Sequence, residues 1–303
     1  MHQTQTLNQV IQSASVIILG KEQQIRLSLC CLLSGGHLLI EDIPGVGKTT
    51  LAHTLAKLMG LHYQRIQFTS DLLPADIIGA TIYNPEEHQF SFHQGAIFNQ
   101  MVLADEINRA TPKAQSALLE AMEEQQVTVE GHTYPLPQPF FVIATQNPSY
   151  QLGTFPLPES QLDRFLMRIE LGYPNHDAER ELLSGTNRHK LIATLEAQLP
   201  AEKLLLMQQE VKEVHVSSAL LDYVQALISF TRESDEYHTG LSPRAGLALL
   251  SAAKSWAYMQ QRDAVIPEDV QAVLGPVAGH RLRAGHTNSE NIVAPLLAQV
   301  AIP

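Results

Sequence analysis

The segment Pro44–Thr50, with the sequence PGVGKTT, has the residue types and the setting of a phosphate-binding loop. It follows a short apolar segment typical of a strand and precedes apolar residues at helical spacing. Its two glycines let the backbone curl so that several N–H groups face one centre, and the N-terminus of the next helix attracts anions. In such a loop Lys48 would contact the β- and γ-phosphates of a nucleotide and Thr49 would hold Mg²⁺. The alternative is a glycine-rich turn with a surface lysine.

Two further polar sets follow apolar segments and could act on the same nucleotide. The segment MVLADE ends in Asp105 and Glu106, at the carboxyl end of a predicted strand, where open α/β sheets bind ligands. Asp105 would bind Mg²⁺ directly or through water, and Glu106 would orient and polarise the attacking water. Asn147, after the apolar segment FVIAT, could hydrogen-bond the γ-phosphate or that water. In isolation, an acid pair after a strand or an asparagine before proline is also typical of solvated turns.

Two arginines complete the set of candidate catalytic residues. Arg164 follows Asp163, so it could form a local ion pair or serve as an arginine finger that reaches a neighbouring subunit's γ-phosphate. Arg244 stands in the predicted first turn of a helix begun by Ser242 and Pro243. A cation there opposes the helix dipole, which is easier to understand if Arg244 faces a phosphate. A surface arginine is the alternative.

The elements around these residues change character along the chain. Strand patterns at 37–41, 101–104 and 140–144 alternate with helical patterns, which predicts a parallel sheet flanked by helices. Turn residues predict two hairpins, at 79–95 with Glu86 and Glu87 at its tip and at 126–136. After about residue 175 helical patterns dominate. We therefore predict an α/β nucleotide-binding core at 1–184 and a small all-helical lid domain at 185–303.

Composition excludes several classes of protein. The formal net charge is −11, which disfavours a passive nucleic-acid coat or an anionic-membrane anchor. The two cysteines, Cys30 and Cys31, are adjacent, so a disulfide framework is not expected and a reducing compartment is favoured. No segment has the length of a signal peptide core or a membrane span. A cytoplasmic location is therefore expected.

At this point the motifs converge on one family. The segments PGVGKT, LADEINRA, ATQNP, LPESQLDRF and LSPRA, in that order, resemble MoxR-type AAA+ ATPases of the helix-2-insert clade over about residues 16–275. The resemblance implies that Asp105 and Glu106 form Walker B, Asn147 is sensor 1, Arg164 is the arginine finger and Arg244 is sensor 2. It implies that the nucleotide is held by Pro44, Gly45, Val46, Gly47, Lys48, Thr49, Thr50, Ile18 and Gly20. It also implies that Thr49 and Asp105 hold the Mg²⁺ that accompanies ATP.

The resemblance also implies an assembly and a kind of partner. Family members form rings, usually hexamers, with ATP between subunits, so we expect a homohexamer that is a slow ATPase as an isolated subunit. The two hairpins resemble channel-facing elements. The expected role is chaperone-like remodelling of a separate protein client, one with a von Willebrand factor A domain. One position differs from the family's usual pattern: Ala96 replaces a common proline in QGAIF. Asp42 stands where the strict phosphate-loop pattern has glycine, but it looks ordinary for the family.

Three other functions share this architecture. A nucleic-acid-translocating motor should carry Lys or Arg in its channel hairpins, and residues 81–95 and 126–137 contain none, so nucleic acid is an unlikely partner. A chelatase-type motor subunit is close to the leading hypothesis and differs in its partner. A non-hydrolysing nucleotide-gated scaffold should lack a hydrolytic residue, and the candidate set is complete. Whether Arg244 acts on its own subunit's nucleotide or on a neighbour's stays open at this level.

Overall fold

The computed structural model describes residues 2–86, 88–147, 153–185, 188–282 and 289–302. Glu87, predicted at a hairpin tip, lies outside these residues. The strands are β1 (Leu38–Glu41), β2 (Tyr63–Gln67), β3 (Gly79–Asn84), β4 (Gln89–Gln94), β5 (Met101–Asp105), β6 (Gln126–Val129), β7 (His132–Pro135), β8 (Phe141–Gln146) and β9 (Met167–Ile169). The helices are α1 (His2–Ile17), α2 (Glu22–Leu33), α3 (Lys48–Leu58), α4 (Pro74–Ile78), α5 (Pro112–Glu124), α6 (Glu159–Leu162), α7 (His176–Leu183), α8 (Arg188–Ala193), α9 (Ala201–Glu213), α10 (Ser218–Glu233), α11 (Pro243–Met259), α12 (Pro267–Ala278) and α13 (Ser289–Gln299).

Within the described residues, five parallel strands form the central sheet in the order β2-β5-β8-β1-β9. The three predicted apolar strands are its middle strands, β5, β8 and β1. The edge strands β2 and β9 were not predicted. β2 (YQRIQ) buries one residue fully and has no apolar run, and β9 has three residues, too few to show a period. The α/β class with a parallel sheet is confirmed.

The sheet separates two apolar layers, because successive side chains of a strand point to opposite faces. Leu38 and Ile40 lie in one layer, which continues through α1, α2 and α3 into the helices after residue 200. Leu39 lies in the other layer, against α5 and the hairpins. The C-terminal helical region therefore packs on one face of the sheet. The segment that contains α8 also packs on the core, against α1 and α3.

The two predicted hairpins form on the opposite face and contact each other. β3 pairs with β4 and β6 pairs with β7, both antiparallel. Phe92 of the first hairpin stacks on Tyr134 of the second, with ring centroids 4.0 Å apart. Ile82, Tyr83 and Phe90 of the first hairpin are 51%, 46% and 72% exposed. This hairpin therefore presents an apolar surface to solvent while its base is held by the second hairpin.

Several helices begin at a side-chain cap. Thr111, Ser217 and Ser242 each accept a hydrogen bond from a backbone N–H in the first turn of α5, α10 and α11. α11 packs along α12, which in turn contacts α13 and β9. Among the described residues, no helix combines the length and the apolar character that crossing a membrane requires.

The side chain of His37 is buried and hydrogen-bonds to both the sheet and α5. Its Nδ1 accepts from the Val142 N–H at 3.0 Å, and its Nε2 lies 3.2 Å from the Met122 carbonyl oxygen, to which it donates. Both bonds require the neutral ring with one defined tautomer. Burial lowers the pKa of His37 to about 4.

We expect this histidine to make the fold acid-sensitive. Between pH 6.5 and 4 His37 is protonated in the unfolded chain but stays neutral in the folded chain. The free energy of unfolding therefore falls as the pH falls. The loss from this residue is about 2 kcal/mol between pH 7 and pH 5. Urea unfolding across this range measures it. His37→Gln should flatten the pH dependence, and the same change at the exposed His176 should not. Equal slopes for both variants would contradict this assignment.

Candidate nucleotide site

Two glycines with positive φ angles shape the phosphate loop, and the buried lysine after them hydrogen-bonds to its backbone. Gly45 and Gly47 have φ angles of 88° and 99°, which residues with a side chain rarely adopt. Gly47 precedes the first turn of α3. Lys48 is buried, and its Nζ donates to the carbonyl oxygens of Asp42 and Ile43. Burial lowers the pKa of Lys48, and nearby carboxylates partly offset this effect. An ammonium bound only by neutral carbonyls here could exchange them for phosphate oxygens.

Asp42, the departure from the strict loop pattern, anchors this loop to the sheet. Its carboxylate accepts from the N–H of Ile43 at 2.7 Å and from those of Leu171 and Gly172 at 2.7 and 2.6 Å. These bonds connect the start of the loop to the segment after β9. A glycine at this position could not make them. The partial match to the motif is therefore a structural adaptation of the loop.

Asp105 sits at the end of β5 between a threonine and an arginine. The Thr145 hydroxyl donates to its Oδ1 at 2.6 Å. Arg65 Nη2 and Nε donate to its Oδ2 at 2.6 and 3.0 Å. Arg65 comes from β2, whose Gln67 pairs with Asp105 in the sheet register. A cation thus already lies against this carboxylate in the folded chain.

Glu106 and Asn147 meet at the same edge of the sheet as Lys48. Glu106 has a φ of 57°, and its N–H donates to the Thr145 hydroxyl. Asn147 Nδ2 donates to Glu106 Oε1 at 3.0 Å, while Asn147 Oδ1 accepts from Lys48 Nζ at 3.1 Å. Gln67 donates to Glu106 Oε2 at 3.2 Å. The structure thus brings together Lys48, Asp105, Glu106 and Asn147, as the motifs require.

The residues predicted to hold Mg²⁺ suit a hard cation. Thr49 lies in the first turn of α3 and offers a hydroxyl, and Asp105 offers a carboxylate. The guanidinium of Arg65 on that carboxylate indicates that the position favours positive charge.

An open cavity of about 440 Å³ lies beside the loop and is large enough for the rest of a nucleotide. Its lining includes Ile18 and residues of the predicted loop, namely Pro44, Gly45, Val46, Gly47 and Thr50. Tyr173 joins this lining, and its carbonyl oxygen accepts from Lys21 Nζ at 2.7 Å. Gly20 is not part of the lining. It turns the chain with a φ of 68° next to Asn175.

The two candidate arginines lie together, but near the amino ends of the strands, whereas the phosphate loop follows a carboxyl end. Arg164 precedes β9, whose first residue pairs with Leu38, the first residue of β1. The loop follows the far end of β1, about 13 Å along the strand at 3.3 Å per residue. Arg164 and Arg244 both bind Glu123, at 3.0 and 2.5 Å. In the described residues neither arginine has a hydrogen bond to Lys48 or its partners.

Asp163, the ion-pair partner that the sequence suggested for Arg164, pairs with Arg281 instead. Asp163 accepts from the buried Arg281 at 2.6 Å, and Arg281 also donates to the carbonyl oxygens of Phe165 and Leu166. Arg281 follows α12, so it fastens the helical region to the segment before β9. Arg164 is left to point along α5, where it donates to the Leu119 carbonyl at 2.7 Å.

Sequence reasoning missed six side chains of these clusters: Asp42 as an anchor, Arg65, Gln67, Thr145, Glu123 and Arg281. Thr145 could have been found, because it ends an apolar strand next to the predicted site. Arg65 lies on an edge strand with no apolar pattern. Glu123 sits among ordinary acids of a helix end, and the sequence shows nothing that singles it out.

Comparison with known proteins agrees with this geometry. Residues 37–167 match the model of the ATPase family associated with various cellular activities (AAA), and residues 229–296 match the AAA lid domain. The chain is 43% identical to YeaC of Bacillus subtilis over 98% of this chain and 95% of that protein. It is 40% identical to Chaperone MoxR1 of Mycobacterium tuberculosis, over 98% of this chain and 82% of that one.

More distant relatives and a solved structure point the same way. The chain is 33% identical to the protein MoxR of Paracoccus denitrificans, over 88% of this chain and 85% of that one. A crystal structure of a candidate ATPase from Cytophaga hutchinsonii superposes with a TM-score of 0.89 at 36% identity. That match covers 100% of this chain and 96% of the other.

Proposed function

The chain belongs to the MoxR-type AAA+ ATPases, and we propose that its Lys48–Asn147–Glu106 cluster hydrolyses ATP within a ring of identical subunits. The observation that carries this proposal is the hydrogen-bonded path from Lys48 through Asn147 to Glu106. The Lys48 ammonium and the Glu106 carboxylate lie at the two ends of the Asn147 amide, which supports a role for them on one nucleotide. The γ-phosphate and the attacking water would lie between them.

In this proposal each residue of the cluster has one task. Lys48 exchanges its carbonyl partners for β- and γ-phosphate oxygens, and the N–H groups of Pro44–Thr50 other than the proline bind the remaining oxygens. Thr49 and Asp105 would hold Mg²⁺. When bound, Mg²⁺ neutralises charge on the β- and γ-phosphates.

Glu106 acts on the water. Its carboxylate accepts a proton as the water oxygen forms a bond to the γ-phosphorus and the bond to the β–γ bridging oxygen breaks. ADP and inorganic phosphate are the products. Asn147 orients Glu106 through its Nδ2 group, and its Oδ1 atom is released toward the water when Lys48 turns to the phosphates.

The arginines supply the reason for a ring. Arg164 and Arg244 lie near the amino ends of the strands, whereas Lys48 and Glu106 lie near the carboxyl ends. The separation between the two groups exceeds the reach of an arginine side chain. We therefore assign both arginines to the nucleotide of a neighbouring subunit, and we propose a hexamer. For Arg164 this assignment agrees with the arginine-finger hypothesis from the sequence. For Arg244, where the sequence left the choice open, we propose the neighbour's site. The division into a core at 1–184 and a lid at 185–303 stays a prediction.

The client that we propose is a protein, and specifically one with a von Willebrand factor A domain. The relatives named MoxR and Chaperone MoxR1 support a chaperone-type role. The first hairpin supports a protein surface as the target, because it exposes Ile82, Tyr83 and Phe90 and contains no Lys or Arg. A nucleic acid would instead require cations along this surface.

Co-sedimentation with purified proteins tests this function. The Glu106→Gln protein in Mg-ATP should bind a protein with a von Willebrand factor A domain encoded in the same genome. Lys48→Ala is the matched control, because it keeps the surface but lacks the phosphate-binding ammonium. ATP hydrolysis that DNA stimulates in a salt-dependent way, with no ATP-dependent binding of any such protein, would favour the nucleic-acid motor instead.

A further inference from the structure

Glu123, at the end of α5, joins a residue of the core to a residue of the helical region. Its Oε2 lies 3.0 Å from Arg164 Nη1, and its Oε1 lies 2.5 Å from Arg244 Nη2. Each carboxylate oxygen thus binds one guanidinium. The hydrogen bond from Arg244, and the charges of both arginines, hold the pKa of Glu123 below its usual range.

The two arginines depend on Glu123 to different degrees. Arg164 has a second partner, the Leu119 carbonyl, and its backbone neighbour Asp163 is fastened by Arg281. Arg244 is about half exposed, and Glu123 is the only hydrogen-bond or ion-pair partner of its side chain among the described residues. The position of Arg244 beside Arg164 therefore rests on one carboxylate.

Electrostatics makes that carboxylate necessary. Two guanidinium groups that approach the same carboxylate repel each other, and this repulsion grows where the side chains are partly shielded from water. Glu123 offsets it. Without this charge the exposed Arg244 side chain would move away from Arg164, because no other acid binds either arginine in the described part of the chain.

We propose that Glu123 is a positioning residue, which holds Arg244 of the helical region beside Arg164 so that both guanidiniums meet a neighbour's triphosphate together. This inference rests on the proposed function, because it needs a nucleotide at the interface between subunits. A single arginine could contact one γ-phosphate oxygen pair. Two arginines in fixed register could bind more of its oxygens as charge develops in the transition state.

A double-mutant cycle on the full-length protein tests this role. Glu123→Gln should lower kcat about tenfold, in the range seen for residues that share one network, with little change in the KM for ATP. In an Arg244→Ala background the same substitution should change kcat less than twofold, since the residue to be positioned is gone. Assays are run at protein concentrations above which activity per subunit is constant, so that assembly is not the variable.

Glu124→Gln is the matched control, because it removes the same charge from the adjacent residue, which has no ion pair in the described residues. It should leave kcat unchanged. The thermal midpoint of Glu123→Gln should match that of the wild type, because partly exposed ion pairs add little to stability. A merely structural role would instead lower the midpoint and act equally in both backgrounds.

Three results would overturn the inference: an unchanged kcat for Glu123→Gln, an increased kcat, or equal losses with and without Arg244. The proposed function fails by a different result, namely an Arg164→Ala protein that hydrolyses ATP at the wild-type rate. If Arg164→Ala abolishes activity and Glu123→Gln leaves kcat unchanged, the shared site stands and the positioning role of Glu123 does not.

Discussion

Replacement of Glu106 by Gln should leave ATP binding intact and lower the hydrolysis rate by roughly 10²–10⁴, the range that a positioned general base contributes. The amide keeps an oxygen that can accept from Asn147 Nδ2, as the carboxylate does at 3.0 Å. It cannot accept the proton of the attacking water. Binding and chemistry should therefore separate in this variant.

Single-turnover hydrolysis and equilibrium binding of a fluorescent ATP analogue measure the two effects. Glu120→Gln, a change at an exposed acid of α5, is the control and should affect neither. A Glu106→Gln protein that hydrolyses ATP at the wild-type rate would remove the role assigned to Glu106. Loss of binding would indicate that the residue holds the site together instead.

Mixing two inactive variants should restore hydrolysis if Arg164 completes the site of a neighbouring subunit. Lys48→Ala removes the phosphate-binding ammonium. Arg164→Ala should lower hydrolysis by roughly 10³-fold or more, because arginine fingers contribute 10³–10⁵ in GTPases. In a random mixture, a site that pairs an intact Lys48 with a neighbour's intact Arg164 occurs in about a quarter of interfaces of a closed ring.

The steady-state ATPase rate of the mixture therefore should rise far above that of either variant alone. A mixture of Lys48→Ala with Glu106→Gln is the control, because both residues belong to one side of the interface and no combination restores a site. Recovery in the control would mean that Lys48 and Glu106 do not serve the same nucleotide. No recovery in the first mixture would mean that Arg164 acts within its own subunit. The 13 Å strand estimate argues against that geometry.

Much of the site was predictable from local sequence because its residues follow strands. Asp105 and Asn147 stand at or just after the end of an apolar strand, and Lys48 ends the loop that follows another. Parallel strands bring their carboxyl ends to one side of the sheet. Residue type then states the chemistry: an ammonium for phosphate, carboxylates for Mg²⁺ and for water. Middle strands are buried on both faces, so their apolar runs were also visible.

Edge elements were not predictable for the converse reason. β2 is partly exposed, so its Arg65 and Gln67 carry no pattern, although they contact Asp105 and Glu106. The short β9 has too few residues to show a period. Their positions follow from which strands pair, and pairing between distant segments is a property of the whole fold.

The sequence by itself determined the family and the α/β class, and it predicted the residues for phosphate and for water, because these depend on residue type at the ends of buried strands. Only the tertiary structure decided what the arginines contact. It paired Asp163 with Arg281 instead of Arg164, and it brought Arg244 to Glu123 across 121 residues of chain. Such contacts depend on how the helical region packs on the sheet, and no local spacing encodes that packing.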